Sequence, residues 1–319
     1  MKKIDVNYFP GWTRKSVTFT LDDGNLETDG KFINIIKPYG IKGTFNLCWP
    51  DFSALDAEGY RDFYRGYEIA NHCKHHPIVF DDGMPYNVSD DEFNSRTSDD
   101  YTPDNPVVYK TWIEGLYRIH HHVKRIKPDG WYSIATPEHY ISFASDSRKA
   151  LEAIFGEGSV SSFVWPCFEQ KNTKVIEYLK KNYKSVRKTG ELRDSTGFSL
   201  PSDRWAWSYN ANHRSLNDVM SIYESFVDDG KLKFFCFGVH SHDFRTSDNW
   251  EDLEYFAKTY GNRPEDYYYA SVGDILAYED AVKSVEITDD RITNRTDLTL
   301  YIKVDGERIV LEPKSYIDI

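Results

Sequence analysis

Short apolar runs alternate with longer stretches of helical period along most of the chain. Residues 16–21, 43–47, 67–70, 161–165 and 233–240 are compact apolar runs that read as buried strands. Between them the spacing predicts helices over 29–36, 112–126, 145–155, 173–182 and 215–226. Strand and helix in alternation predict a parallel α/β sheet or barrel. In such folds, polar residues at the carboxyl ends of strands are where chemistry is sought.

Two stretches break this rhythm. From Pro77 to about Asp104 the chain is rich in Asp, Asn, Ser and Pro and reads as a long irregular excursion. Beyond Ser284 it changes to short alternating stretches, with Asp305-Gly306 as a hairpin turn, which predicts a small β appendage. The expected organisation is one large domain over 1–283, with an inserted region at about 77–157, followed by the appendage over 284–319. A chain of 319 residues falls inside the range of a one-domain α/β barrel.

Composition narrows the partners. Hydrophobic residues make up 40% of the chain, with 23 Tyr, 19 Phe and 8 Trp, enough for a sizeable core. The 39 Lys and Arg against 51 Asp and Glu give a net charge of −12, a surface that repels phosphate backbones and anionic lipid, so no nucleic-acid partner is expected. Cys48, Cys73, Cys167 and Cys236 stand singly, without a C-x-x-C pair or a disulfide framework, and read as thiols of a reducing compartment. No apolar window has the length of a membrane span, and the N-terminus lacks the apolar run of a secretory signal. The sequence as it stands reads as cytoplasmic, or extracytoplasmic if a signal peptide has been trimmed.

Three segments carry candidate chemistry. Thr18-Phe19-Thr20-Leu21-Asp22-Asp23-Gly24 is an apolar strand ending in two carboxylates and a glycine, a pattern that also fits a simple turn. His72-Cys73-Lys74-His75-His76-Pro77 follows another strand; on a helical turn His72 and His76 would converge on one ion, with His75 pointing elsewhere. Phe234 to Asp243 is a strand that delivers His240 and His242, either able to titrate near neutrality. The consecutive His120, His121 and His122 would point in different directions on a helix and read as an exposed face, and His139 as part of a helix start.

Together, TLDDG, HCKHHP, FVWPCF and FGVHSHDF occur in the order of the polysaccharide deacetylase, or NodB-homology, family of carbohydrate esterases, which the chain resembles over about 16–275. The resemblance implies a distorted β/α barrel and a metal-dependent hydrolase that removes acetyl groups, N-acetyl first and O-acetyl second, from a sugar or oligosaccharide. It also implies Asp22 as general base, Asp23, His72 and His76 as metal ligands, and His240 as general acid. The backbone N–H of Cys167, after Pro166, would be the oxyanion donor. Two imidazoles and one carboxylate suit zinc, with cobalt, nickel or manganese as alternatives. Trp165, Trp205 and Trp207 are candidate sugar-stacking faces or core aromatics, and His213 a candidate substrate contact.

The sequence departs from the family pattern twice. No arginine precedes Pro166, although Arg187, Arg193 or Arg204 could replace it through space. The family's Asp-x-x-Asp-Trp motif is missing; Asp203-Arg204-Trp205 and Trp207 followed by Asn212-His213 come nearest, leaving the partner of His240 open. The alternative function is a carbohydrate-binding protein that kept the fold and lost turnover. A two-carboxylate glycosidase is disfavoured, because adjacent Asp22 and Asp23 cannot flank a glycosidic bond.

Overall fold

The computed structural model describes residues 2–51, 53–79, 107–110, 116–120, 131–135, 137–167 and 171–319. Along the chain, the elements are β1 (Ile4–Tyr8), β2 (Lys15–Asp23), α1 (Leu26–Ile36), β3 (Thr44–Leu47), α2 (Ala57–Phe63), β4 (Glu68–Asn71), β5 (Pro77–Val79), β6 (Val107–Lys110), β7 (Leu116–His120) and β8 (Trp131–Ala135). There follow α3 (Pro137–Phe155), β9 (Ser162–Val164), α4 (Thr173–Asn182), β10 (Ser185–Glu191), β11 (Trp207–Tyr209), α5 (Leu216–Ser225), β12 (Lys233–His240), α6 (Ser241–Thr246), α7 (Trp250–Tyr260), β13 (Tyr267–Tyr269) and α8 (Val272–Lys283). The tail is all strand: β14 (Glu286–Ile287), β15 (Arg291–Asn294), β16 (Leu300–Val304), β17 (Glu307–Leu311) and β18 (Ser315–Asp318).

The class is mixed α/β with parallel strands, as the alternation predicts. All five expected strands form within a residue or two of their expected bounds, as do two of the five helices, α4 and α5; α1 and α3 form as well but start earlier than expected, at Leu26 and Pro137. The exception is 112–126. Its described part, Leu116–His120, is strand β7, paired antiparallel with both β6 and β8. Tyr117 and Ile119 alternate there with Arg118 and His120, a period of two that fits a ladder bonded on both sides better than a helix. His120 is therefore a strand residue; His121, His122 and most of the 77–104 excursion lie outside the described residues. No described helix is long and apolar enough to cross a membrane.

By contact density the chain forms two compact units, Met1–Asn46 with Gly59–Ile69 and Gly190–Ile319, and Leu47–Glu58 with Ala70–Thr189. In the first, β2 is flanked by parallel β12 and β13, with Phe235 opposite Val17 and Tyr267 opposite Lys15. Phe19, Phe32, Phe45 and Phe237 are all fully buried and pack their rings together under the strands. Each such side chain contributes about 1.5–3 kcal/mol by leaving water. Gly238 interrupts the apolar run of β12 because a Cβ there would come within 2.1 Å of the Tyr209 ring. A second core, including Phe9, Trp207, Phe234, Ile275, Ile302 and Leu311, joins the tail strands to α8, and β1 pairs antiparallel with β16.

The second unit holds parallel β9 and β10, with Asn71 of β4 opposite Phe163 of β9. Its core contains Tyr140, Phe163, Trp165, Leu179 and Val186. Helix α4 is capped by Asn172, whose side chain accepts from the Val175 N–H at 3.2 Å, worth about 1 kcal/mol.

Candidate active site

In the first unit, β2 and β12 run parallel in a register that sets His240 opposite Asp22 at their carboxyl ends. Asp22 is buried, and its Oδ1 accepts from Asn46 Nδ2 at 2.7 Å, while the same amide donates to Thr20 Oγ1. Asn46 thereby helps to orient the Asp22 carboxylate. Asp23, the next residue, adopts a left-handed φ of 77° and is followed by Gly24 at the same φ, so the chain reverses there before Asn25 caps α1.

His240 ends β12 and precedes α6. Its Nδ1 lies 3.0 Å from Asp243 Oδ2, an oxygen that also accepts the His240 backbone N–H at 3.1 Å, while Nε2 stands 3.7 Å from Asp23 Oδ2. Burial by itself would lower the imidazole pKa, but the bond to Asp243 and the charges of Asp22 and Asp23 outweigh it and raise it to about 9. Burial pushes the Asp243 carboxyl up, and the His240 bond and charge reverse this, leaving it below its usual range. His242 stacks on His240 with ring centroids 4.9 Å apart; burial and the charge of His240 lower its pKa.

His213 stands behind Asp243, its Nδ1 3.7 Å from Oδ2. Arg214 Nε donates to His213 Nε2, so the neutral ring carries its proton on Nδ1, on the side of Asp243. Burial lowers its pKa, with Asp243 opposing. His213 is thus placed to support Asp243, and its Asn249 neighbour holds its carbonyl at 2.8 Å.

In the second unit, β4 leads directly into His72 and His76. They do not share a helical turn: Cys73, His75 and His76 have positive φ, and the segment is a chain of tight turns. The imidazoles nevertheless converge, with ring centroids 4.9 Å apart. His72 is buried, and its Nδ1 faces the Val164 carbonyl at 3.0 Å; a carbonyl only accepts, so Nδ1 donates there. His76 Nδ1 lies 3.6 Å from Cys167 Sγ. Cys167, after Pro166, is itself left-handed at φ 61°. His75 turns away onto Phe143, as expected. Among the described residues, five of the twelve non-glycine positive-φ positions are Asp23, Cys73, His75, His76 and Cys167, so backbone strain gathers in the motif segments.

The remaining candidates separate. Trp165 and Trp207 are core residues, 2% and 6% exposed, packed against Phe163 and Phe234 respectively, and present no stacking face; Trp205 is exposed. Of the arginines, Arg204 pairs with Glu279 and Asp280, Arg193 pairs with Glu191 at the surface, and Arg187 is buried on β10 opposite Val164. Asn46 and Asp243 were not singled out by sequence. Asn46 had a weak signal, an amide inside the apolar run of β3; Asp243 had a clearer one, a carboxylate three residues past a strand-terminal histidine.

Carboxylates and a carboxylate-backed imidazole thus stand together at the carboxyl ends of parallel strands, where α/β folds carry their chemistry. The polysaccharide deacetylase profile matches residues 11–186, more than half of the chain, and the protein belongs to that family. The family is that of the polysaccharide deacetylases, which implies an acetylated carbohydrate as the substrate class. Similar solved structures include the Xyl-CE4 domain of a multidomain xylanase from the hindgut metagenome of Trinervitermes trinervoides, 14% identical with a TM-score of 0.44, covering 84% of this chain and 93% of that one. Another is the peptidoglycan deacetylase PdaC from Bacillus subtilis, at 12% identity and a TM-score of 0.44, with 85% and 94% covered. A third is a family 4 carbohydrate esterase from Streptomyces lividans in complex with acetate, at 12% identity and a TM-score of 0.40, with 76% and 87% covered. No curated protein matches the chain.

Proposed function

We propose that the protein is a divalent-metal-dependent deacetylase that hydrolyses the N-acetyl group of a sugar or oligosaccharide. Asp23, His72 and His76 would hold the ion, zinc first, with cobalt, nickel or manganese compatible with the same donors. The donor chemistry fits: His72 Nδ1 is taken up by the Val164 carbonyl, which leaves Nε2 as the ring nitrogen that could face an ion, and the His76 ring stands beside it. When bound, the ion supplies Lewis acidity toward the acetyl carbonyl and the attacking water.

The chain's own groups then divide the proton traffic. Asp22, anchored by Asn46, takes a proton from the water as its oxygen adds to the carbonyl carbon. The backbone N–H of Cys167 donates to the developing oxyanion. His240, its Nδ1 tied to Asp243, carries a proton on Nε2 at neutral pH and hands it to the departing nitrogen as the C–N bond breaks, giving acetate and the free amine.

The observation that carries this reading is the parallel register that sets His240 opposite Asp22, with the imidazole backed by a carboxylate. An amine leaves only when protonated, which gives a retained imidazolium its use. The test is acetate release from N-acetylated and O-acetylated oligosaccharides by protein that is stripped of metal, then reloaded with zinc, cobalt, nickel or manganese. Release from N-acetyl substrates that is abolished by stripping and restored by an ion is expected. No release from any substrate, or release indifferent to stripping, overturns the reading.

A further inference from the structure

Asp29 lies in the first turn of α1 and is fully buried. Both of its carboxylate oxygens are engaged: Ser241 Oγ donates to Oδ1 at 2.5 Å and the Tyr64 hydroxyl to Oδ2 at 2.8 Å. Thr28 Oγ1 lies 2.7 Å from Ser241 Oγ. Since the single hydroxyl proton of Ser241 goes to the carboxylate, Thr28 donates in that bond. The result is a directional chain, Thr28 to Ser241 to Asp29, closed from the other side by Tyr64. All four residues are buried, and directional chains of this kind stiffen where they are fully satisfied.

A carboxylate is an expensive way to fill such a place. Burial drives its pKa to about 6 against the opposing bonds from Ser241 and Tyr64, with the charge of Asp23 adding to the rise. An apolar side chain would pack there without that penalty. The position of the chain explains its use. Helix α1 begins just after Asp22 and Asp23, and α6 begins at Ser241, directly after His240. Asp22 and His240 are themselves opposite one another in the parallel ladder. The buried carboxylate therefore fastens together the two helices that leave the two chemically active strand ends.

We propose that Asp29 is a positioning residue, which by locking Ser241 to α1 fixes where the His240 imidazole stands relative to Asp22. Its catalytic readout rests on the deacetylase reading; its geometric readout does not. The experiment compares full-length, zinc-loaded wild type with Asp29→Ala, Asp29→Asn and Ser241→Ala on an N-acetylglucosamine oligomer and on an activated aryl acetate, together with the imidazole ¹⁵N resonances of His240 and His213.

Asp29→Ala and Ser241→Ala are expected to lower kcat on the amide by about 10-fold or more, in line with the sensitivity of rates to misplacement. KM and aryl-acetate turnover should stay within about twofold by the same argument. Asp29→Asn, which keeps an acceptor for Ser241, should recover most of the loss. The His240 resonances should move in both alanine variants while those of His213 hold. Equal losses on amide and ester, a change in KM alone, or unmoved His240 resonances overturn the proposal. If wild type proves inactive, the deacetylase reading fails and the resonances alone decide this one. Should Asp29→Ala not fold, Ser241→Ala and Asp29→Asn carry the same comparison.

Discussion

One oxygen of Asp243 fixes both the ring and the backbone of His240: Oδ2 faces Nδ1 at 3.0 Å and accepts the main-chain N–H at 3.1 Å. This local arrangement supplies the carboxylate partner that the missing Asp-x-x-Asp-Trp motif left open, from within the histidine's own turn.

Asp243→Asn should therefore let the His240 pKa fall from about 9 toward its ordinary value near 6.5, as a histidine NMR titration in chelator would follow. The linkage has a definite sign. A histidine whose folded pKa is raised stabilises the fold fully below its unfolded pKa, and that contribution is lost as pH rises through about 9. The stability advantage of wild type over Asp243→Asn should accordingly shrink between pH 6.5 and 9 in urea melts. An advantage that grows over this window contradicts the assignment.

The two adjacent aspartates should separate cleanly. Asp22→Asn keeps shape and leaves the three proposed ligands in place, so metal content should persist while the rate falls by about 10²–10⁴. Asp23→Asn should lose metal. Metal analysis beside kcat decides it, and the opposite pattern reverses the two roles.

Replacing Asn46 by Ala removes the amide that anchors Asp22 at 2.7 Å and leaves a buried carboxylate short of a donor. Loss of one such bond costs about 1–3 kcal/mol. The expected outcome is a lower Tm with reduced kcat and unchanged metal content; an unchanged kcat would show that Asp22 needs no anchor.

With His76→Ala, two proposed protein ligands remain, too few for a firm site. Metal binding and turnover should vanish together, as measured by metal content after dialysis. Full occupancy in that variant would sink the ligand assignment.

His240→Ala should lower hydrolysis of an N-acetylglucosamine-type amide by about 10²-fold or more and spare an activated aryl acetate, whose leaving group departs without a proton. His242→Ala should be milder, since His242 lies beyond the end of β12 and its ring stacks on His240. Equal losses on both substrates for His240→Ala would mean that it positions substrate and does not act as an acid.

Much of the frame is legible in sequence because buried parallel strands are written as compact apolar runs, and TLDDG and FGVHSHDF place Asp22 and His240 at the ends of two of them. What sequence hides is geometry that periodicity does not encode. His72 and His76 approach through left-handed turns, which no helical spacing reveals. Asn46 points its amide at Asp22 from another strand, a relationship visible only once β2 and β3 are side by side. Trp165 and Trp207 could as well have faced a sugar as a core; packing against Phe163 and Phe234 settled the choice. The 112–126 window held apolar residues compatible with either period, and pairing on both sides of β7 decided for strand.

Among the described residues, strand β1 pairs with β16, with Ile4 opposite Val304 and Tyr8 opposite Tyr301. On a ribosome adding about 5–20 residues per second, β1 therefore waits roughly 15–60 s for the segment that covers it. Through that interval its ladder edge is open to other chains, and the sheet it belongs to cannot close until β16 has been made.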